Sequence, residues 1–358
     1  MATGGAERIV DDSLFSAARL KQVPEDFEVS EVPIAEPQGA NSVDRERSMV
    51  SEWLLRKRDL TTFEALALVS KRLGVSQGSI GYAGLKDELA VTSQRISIHA
   101  DLTVDSMRIV REEGRYADVS RLGVRGAPLD VGDLLGNVFR IRLRNIPQEA
   151  TPIWPAAGTF HFEYLNYYDT QRFGVPGGPR TTHLIGAHLE RGEYDAAFDL
   201  LVKAKTAESV LAEEHSGSPR SFFEDVLDPR VVGFYRSSYH SFEWNAGIAR
   251  RLQEAGNAQE VQRDRIRYYF PKSRSAPEIP HSLPYVTVRV VDGTLQRLSR
   301  SRLARVGVSM NVAALEPDEL NPGMLAGSVR FFLPSGAYAT MAVAQFLRIL
   351  QFQAGGVR

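Results

Sequence analysis

The alternation of apolar and polar positions first becomes regular at residues 24–32, where Phe27, Val29 and, after one slip, Val32 alternate with Glu28 and Ser30. A period of two predicts a half-buried strand. Residues 36–47 are Pro, Gly, Asn and charged groups, which predicts a loop. The period then changes. Phe63, Leu66, Val69 and Leu73 form the apolar stripe of a helix, Thr61 and Glu64 have capping-box spacing, and Gly74 suits the position just past its end. From Ile80 a Gly-rich turn gives way to the β-leaning run AVTSQRISI, so Asp87 is expected in the loop that precedes a strand. Between residues 138 and 144, Phe139, Ile141 and Leu143 share one face of a strand and Arg140, Arg142 and Arg144 the other, a strand with one basic face. After about residue 170 helical segments dominate, separated by polar linkers at 177–179, 215–219 and 273–280, before Val286, Val288 and Val290 alternate as a further strand. The tail reads as a strand and turn over 328–336 followed by an apolar helix over about 339–352. Strands and helices do not alternate in a βαβ rhythm, so the pattern predicts an α+β fold with mostly antiparallel pairing. There is no internal repeat.

Composition narrows the possibilities. At 358 residues the chain exceeds the size at which one core usually stops growing, so two domains are expected. With 43% hydrophobic residues, 24% charged residues and no apolar run near membrane-spanning length, a soluble protein without a membrane partner is expected. The N-terminus lacks a basic segment followed by an apolar one, so the expected location is the cytoplasm. The absence of cysteine excludes disulfides, thiolate nucleophiles, iron–sulfur clusters and cysteine-based zinc sites. His183 and His188, five residues apart, do not have the spacing of a zinc-binding helix pair, so neither a metal nor another cofactor is expected. A net charge of −1 gives no global argument for a nucleic-acid partner. Any such argument is local, from arginine clusters at 139–145, 263–274 and 296–305.

The candidate chemistry lies between Gly81 and Ile98. Lys86 and Asp87 stand side by side between a small-residue turn and a strand, a place where loops commonly present catalytic groups; taken alone, such a pair is more often a solvated turn. Gly84, Lys86, Asp87, Ala90, Thr92 and Gln94, however, have the spacing G-x-K-D-x-x-A-x-T-x-Q, which resembles the signature of the TruD family of tRNA pseudouridine synthases. PEDFEVSE at 24–31, GNVFRIRLRN at 136–145, NYYDTQRFG at 166–174 and RFFLPSGAYAT at 330–340 resemble further family blocks, in the family's order.

The resemblance implies a catalytic domain of pseudouridine-synthase type formed by residues 1–169 and 309–358, interrupted by an inserted α+β domain over 170–308. It implies conversion of a uridine of tRNA, at position 13, by a chain expected to act as a monomer. Asp87 is the implied nucleophile, attacking either the ribose C1′ or the uracil C6. A carboxylate in a closed site needs a cation to stay ionised, and Lys21, by its position relative to the PEDF block, is the implied partner in preference to Lys86. The uridine must leave its stack, and Phe27, Phe139 and Tyr338 are the implied aromatic contacts, with Asn137 on the base edge. Phe139 also fits ordinary core, and Asn137 also fits a turn. Tyr338 lies far along the chain from Asp87, so a shared uracil requires the C-terminal strand to return to the first domain. Arginines 263, 265, 267, 297, 300 and 302 are candidates for the basic lining of the insert.

The chain departs from the family pattern at Tyr168 and Asp169, near residues 40–48, and at Ser238–Asn245, positions that bear on RNA docking and the choice of uridine. Two rival readings are a non-catalytic tRNA-binding or RNA-folding protein, which the intact Asp87 disfavours, and a two-carboxylate glycosidic hydrolase, for which Glu88 is the only nearby second acid.

Overall fold

A computed structural model describes residues 7–8, 14–34, 50–100, 105–110, 114–174 and 178–355. The loop expected at 36–47 and the departure near residues 40–48 therefore lie outside the described residues. The chain forms two compact units, one of residues 1–8, 17–160 and 308–336, the other of residues 9–16, 161–307 and 337–358. The resemblance implies boundaries at 169/170 and 308/309 and groups the C-terminal helix with the first domain.

The first unit is built on a sheet. Its strands are β1 (Glu7–Arg8), β2 (Arg19–Leu20), β3 (Phe27–Pro33), β4 (Val50–Arg58), β5 (Ile80–Tyr82), β6 (Val91–Ile98), β7 (Ser106–Val110), β8 (Tyr116–Arg125) and β9 (Leu134–Ile146). The chain passes between units within β10 (Gly158–Leu165) and β15 (Arg305–Val312), and β16 (Glu316–Pro317) and β17 (Leu325–Pro334) complete the set. The strands line up β17-β9-β3-β6-β4-β8-β7, with β5 beside β6 and β16 beside β17. These pairings are antiparallel, as the pattern predicts, except that β3 and β6 run parallel with Val29 opposite Thr92. That exception matters for function. Two parallel neighbours begin at the same end of the sheet, so the turn before β3 and the loop before β6 arrive together. Antiparallel β4 ends at that same edge, with Lys57 opposite Thr92 and Arg58 opposite Val91.

Helix α1 (Thr62–Leu73) follows β4 and is the element most completely written in local sequence. Thr61 and Glu64 form the reciprocal capping box, and Gly74 ends the helix at φ 68°. The buried face is Thr62, Ala65, Leu66 and Val69, packed on Trp53, Leu55, Ile96, Ile98 and Val119. Phe63, expected in the stripe, is instead 52% exposed and meets Tyr82 edge-on, because the sheet contacts the α1 face one residue round. Pro24–Asp26, expected to open a strand, forms one 3-10 turn, since Asp26 accepts the Val23 amide and ends the extended conformation.

In the second unit α2 (Thr182–Arg191), α3 (Tyr194–Ala204), α4 (Ala207–Glu214) and α5 (Pro229–Glu254) surround a core of Ile185, Leu189, Leu201, Phe222, Phe223 and Tyr235. Gly186 permits the close crossing of α2 and α5, because a Cβ there would overlap the Tyr235 carbonyl. Hairpins β11 (Ala258–Arg263) with β12 (Ile266–Pro271) and β13 (Ser282–Val291) with β14 (Thr294–Leu303) follow, and α6 (Ala339–Gly355) closes the chain. No described helix is long and apolar enough to cross a membrane.

Candidate functional site

At the shared strand edge the Lys21 Nζ lies 2.7 Å from the Asp87 Oδ1, an ion pair between residues 66 positions apart. Lys21 takes a left-handed backbone conformation, φ 55°, which is unfavourable for a residue with a Cβ and is held here by the surrounding structure. The turn after it is clamped from below. Arg144 donates to Asp26 at 2.7 Å, to Asp318 at 2.9 Å and to Glu319 at 3.0 Å, while Arg58 pairs with Glu25 at 2.6 Å. The Lys21 ammonium sits 4.2 Å above the centre of the Phe27 ring, which meets Phe139 edge-on at 6.0 Å, and Phe139 stacks on Phe331 at 5.6 Å. Phe27 and Phe139 are buried, so they form an aromatic floor beneath the pair.

The Asp87 side chain keeps 39% of its surface exposed while Lys21 keeps 9%, so the cation is fixed and the carboxylate faces outward. Burial pushes the Asp87 pKa up, but the charge and hydrogen bond of Lys21, joined by the charge of Lys57, outweigh it and hold the carboxyl below its ordinary range. The group is ionised at neutral pH.

The other signature residues hold the loop. Lys86, the alternative cation, turns away to Glu31 at 2.8 Å in an ion pair whose side chains are 4% and 2% exposed. Its backbone N–H donates to the Thr62 hydroxyl, and the Gln94 side chain donates to the Gly84 carbonyl. Ala90 and Thr92 are fully buried. One functional candidate went unread in the sequence: Lys57, fully buried, donates to the Leu60 carbonyl at 2.7 Å and to the Asp87 carbonyl at 2.5 Å. Its signal was available, because Lys57 falls in phase with Trp53 and Leu55 on the inward face of β4.

Asn137 lies within β9, between Glu31 of β3 and Leu333 of β17, so it is not a turn residue, and its side-chain oxygen is buried without a hydrogen-bond partner. The basic face expected on β9 is largely neutralised. Arg140 is exposed, Arg142 meets Glu316 and Glu319, and Arg144 is buried among acids supplied by distant turns. Glu88, the hydrolase reading's second acid, is exposed on the loop beside Asp87.

Tyr338 belongs to the second unit, half-buried, with its ring 5.8 Å from Tyr168 and its amide donating to the Tyr164 hydroxyl. The 166–174 block, expected to bear on RNA docking, is mostly interior: Asn166, Tyr167, Tyr168, Asp169, Thr170 and Phe173 are buried. Asn245 of α5 bonds both the amide and the carbonyl of Tyr168, and Trp244 donates to the Asn166 carbonyl, so the 238–245 segment clamps that block. Asp169 accepts from Thr340 and lies 3.5 Å from Arg263, which is only 3% exposed. Arg263 is therefore interior and not part of a basic lining. The Arg302 guanidinium lies over the Tyr168 ring at 4.1 Å and donates to Asn166. Arg265, Arg267, Arg297 and Arg300 are exposed, with Arg267 paired to Glu260 and Arg297 to Glu190. His183 is buried against Phe173 and Phe242, and His188 bonds Glu193. Among the described residues no three His, Asp or Glu side chains converge on a point that could hold a metal.

Comparison with known proteins adds the context. The family model described as tRNA pseudouridine synthase D (TruD) matches residues 5–216. The chain is 35% identical over 274 residues to tRNA pseudouridine synthase D of Geobacter sp. (strain M21), covering 65% of this chain and 64% of that one. It is 32% identical over 268 residues to a probable tRNA pseudouridine synthase D of Pyrococcus furiosus, covering 66% and 62%. The matched region thus spans less than two thirds of the length of these relatives. A crystal structure of a putative tRNA pseudouridine synthase D from Methanosarcina mazei shares the fold, with a TM-score of 0.61 at 20% identity over 97% of this chain and 99% of that one.

Proposed function

The chain belongs to the tRNA pseudouridine synthase D (TruD) family, and from that premise we propose that it isomerises a uridine of tRNA to pseudouridine, with Asp87 as nucleophile and Lys21 as its cation. The observation that carries the reading is the 2.7 Å pair between Lys21 and a part-exposed Asp87 over an aromatic floor. The reaction breaks the N-glycosidic bond, turns the uracil and rejoins it through carbon. An ionised carboxylate can open it by adding to the ribose C1′ or the uracil C6, and a fixed ammonium keeps that carboxylate ionised when RNA covers the site. Asn137, with its unpartnered oxygen, is the candidate for the base edge, and Phe27 and Phe139 support the site from below. We extend the base-stacking role to Tyr338 and take position 13 as the target, a reading that the family resemblance supports. The unit carrying Asp87 is the candidate catalytic domain, and exposed Arg265 and Arg300 are candidates for phosphate contact in the other.

Tritium release from tRNA carrying 5-tritiated uridine tests the reading directly. The wild-type chain is expected to release tritium and Asp87→Ala to fall to background, whereas retained release in Asp87→Ala would exclude Asp87 as nucleophile. Pseudouridine mapping with and without the gene tests the position: loss confined to position 13 supports it, and an unchanged position 13 overturns it.

A further inference from the structure

Lys57 is the last inward-facing residue of β4, 0% exposed, and its ammonium is aimed at two backbone carbonyls, those of Leu60 and Asp87. A buried ammonium is costly until it is compensated, and an apolar side chain could fill the same volume without that cost. What the cation adds is a tether. It joins the peptide of Asp87 to the turn between β4 and α1, whereas Lys21 bonds the Asp87 side chain.

We infer that Lys57 is a positioning residue for the nucleophile, holding the Asp87 backbone so that its carboxylate meets the target carbon in register. The inference rests on the reading of Asp87 as nucleophile. It has two physical parts. The hydrogen bond fixes the loop, and misplacement of a reacting group by about 1 Å can cost about 10²-fold in rate. The charge supports the ionised carboxylate together with that of Lys21. The charged groups around Lys57 are Asp87, Glu88 and Lys86 from the loop and Glu64 from α1.

Because the chain contains no cysteine, Lys57→Cys introduces a single thiol. Alkylated in denaturant with 2-bromoethylamine and refolded, it regains an ammonium of nearly lysine length; alkylated with 1-bromopropane, it regains the shape without charge or donor. Tritium release, tRNA Kd and the pH profile of kcat are then measured on both. The propyl protein is expected to bind tRNA within about two-fold of wild type, to lose about 10²-fold in kcat, and to show its acid limb at higher pH. The aminoethyl protein is expected to recover both kcat and the acid limb. A propyl protein with wild-type kcat and acid limb overturns the inference, as does a folded aminoethyl protein no faster than the propyl one. Should the propyl protein fail to refold, Lys57→Arg replaces it, with an unmoved acid limb and reduced kcat expected, and wild-type kcat overturning the inference. A wild-type chain that releases no tritium overturns the pseudouridine synthase reading and this inference together, so the two failures are distinguishable.

Discussion

Lys21 and Asp87 form an unequal pair, one side chain 9% exposed and the other 39%. The asymmetry sets what each can do. The lysine is pinned by its own backbone conformation and by the Phe27 ring, while the carboxylate presents a face to solvent from which a ribose or a base can approach. Burial raises the Asp87 pKa and the lysine charges lower it below the ordinary carboxylate value, so the acid limb of kcat is expected below that value. Lys21→Met removes the main opposing charge and leaves burial to act. Its acid limb is expected to move up toward neutrality, with kcat at the plateau down by about 10²-fold, the usual effect of one lost electrostatic contact. The measurement is single-turnover tritium release across pH. An acid limb that stays in place in Lys21→Met would show that another group sets the ionisation of Asp87.

At the scale of elements, the site depends on where strands and a helix begin and end at one edge of the sheet. The turn preceding β3 carries Lys21, the end of β4 carries Lys57, the start of α1 carries Thr62, and the loop before β6 carries Asp87. Helix α1 is a support for that loop, because the Thr62 hydroxyl accepts the Lys86 amide. Its capping box is therefore expected to matter twice. Thr61→Ala removes the side chain that accepts the Glu64 amide and should lower stability by about 1 kcal/mol in urea unfolding with an unchanged m-value. Thr61→Ala should also reduce kcat, since the first turn of α1 and the Lys86 amide are coupled; Thr61→Ser is expected to restore both quantities.

For the whole molecule, a net charge of −1 means that the proposed affinity for tRNA has to come from local groups. Arginine count is a poor guide to which groups those are. Arg144 and Arg263 are interior, whereas Arg300 is exposed on β14. Arg300→Ala is expected to leave stability unchanged and to lower the slope of log K for tRNA against log salt by about 1. Arg263→Ala should behave oppositely, destabilising the second unit by about 3 kcal/mol because it leaves buried Asp169 without its cation, with the salt slope unaltered. Thermal unfolding and a salt titration of tRNA binding separate the two outcomes.

The sequence by itself determined what is local. The capped helix at 62–73, the strand at 91–98 and the placing of Asp87 just before it follow from periodicities and cap chemistry that act over three or four residues. The fixed spacing of the signature likewise singled out that loop and its family. Periodicity could not show which lysine reaches Asp87, and only the family resemblance pointed to Lys21, because Lys86 is adjacent in sequence yet turns to Glu31, while Lys21 arrives from 66 residues away. The parallel register of β3 on β6 decided that. Nor could it show that the arginines of β9 meet acids from residues 316–319, or that Phe63 faces solvent, since both depend on which face a distant element covers. Tertiary structure alone placed Lys57, because a lysine in an apolar phase looks like an error in the pattern until the carbonyl it serves has folded up beside it.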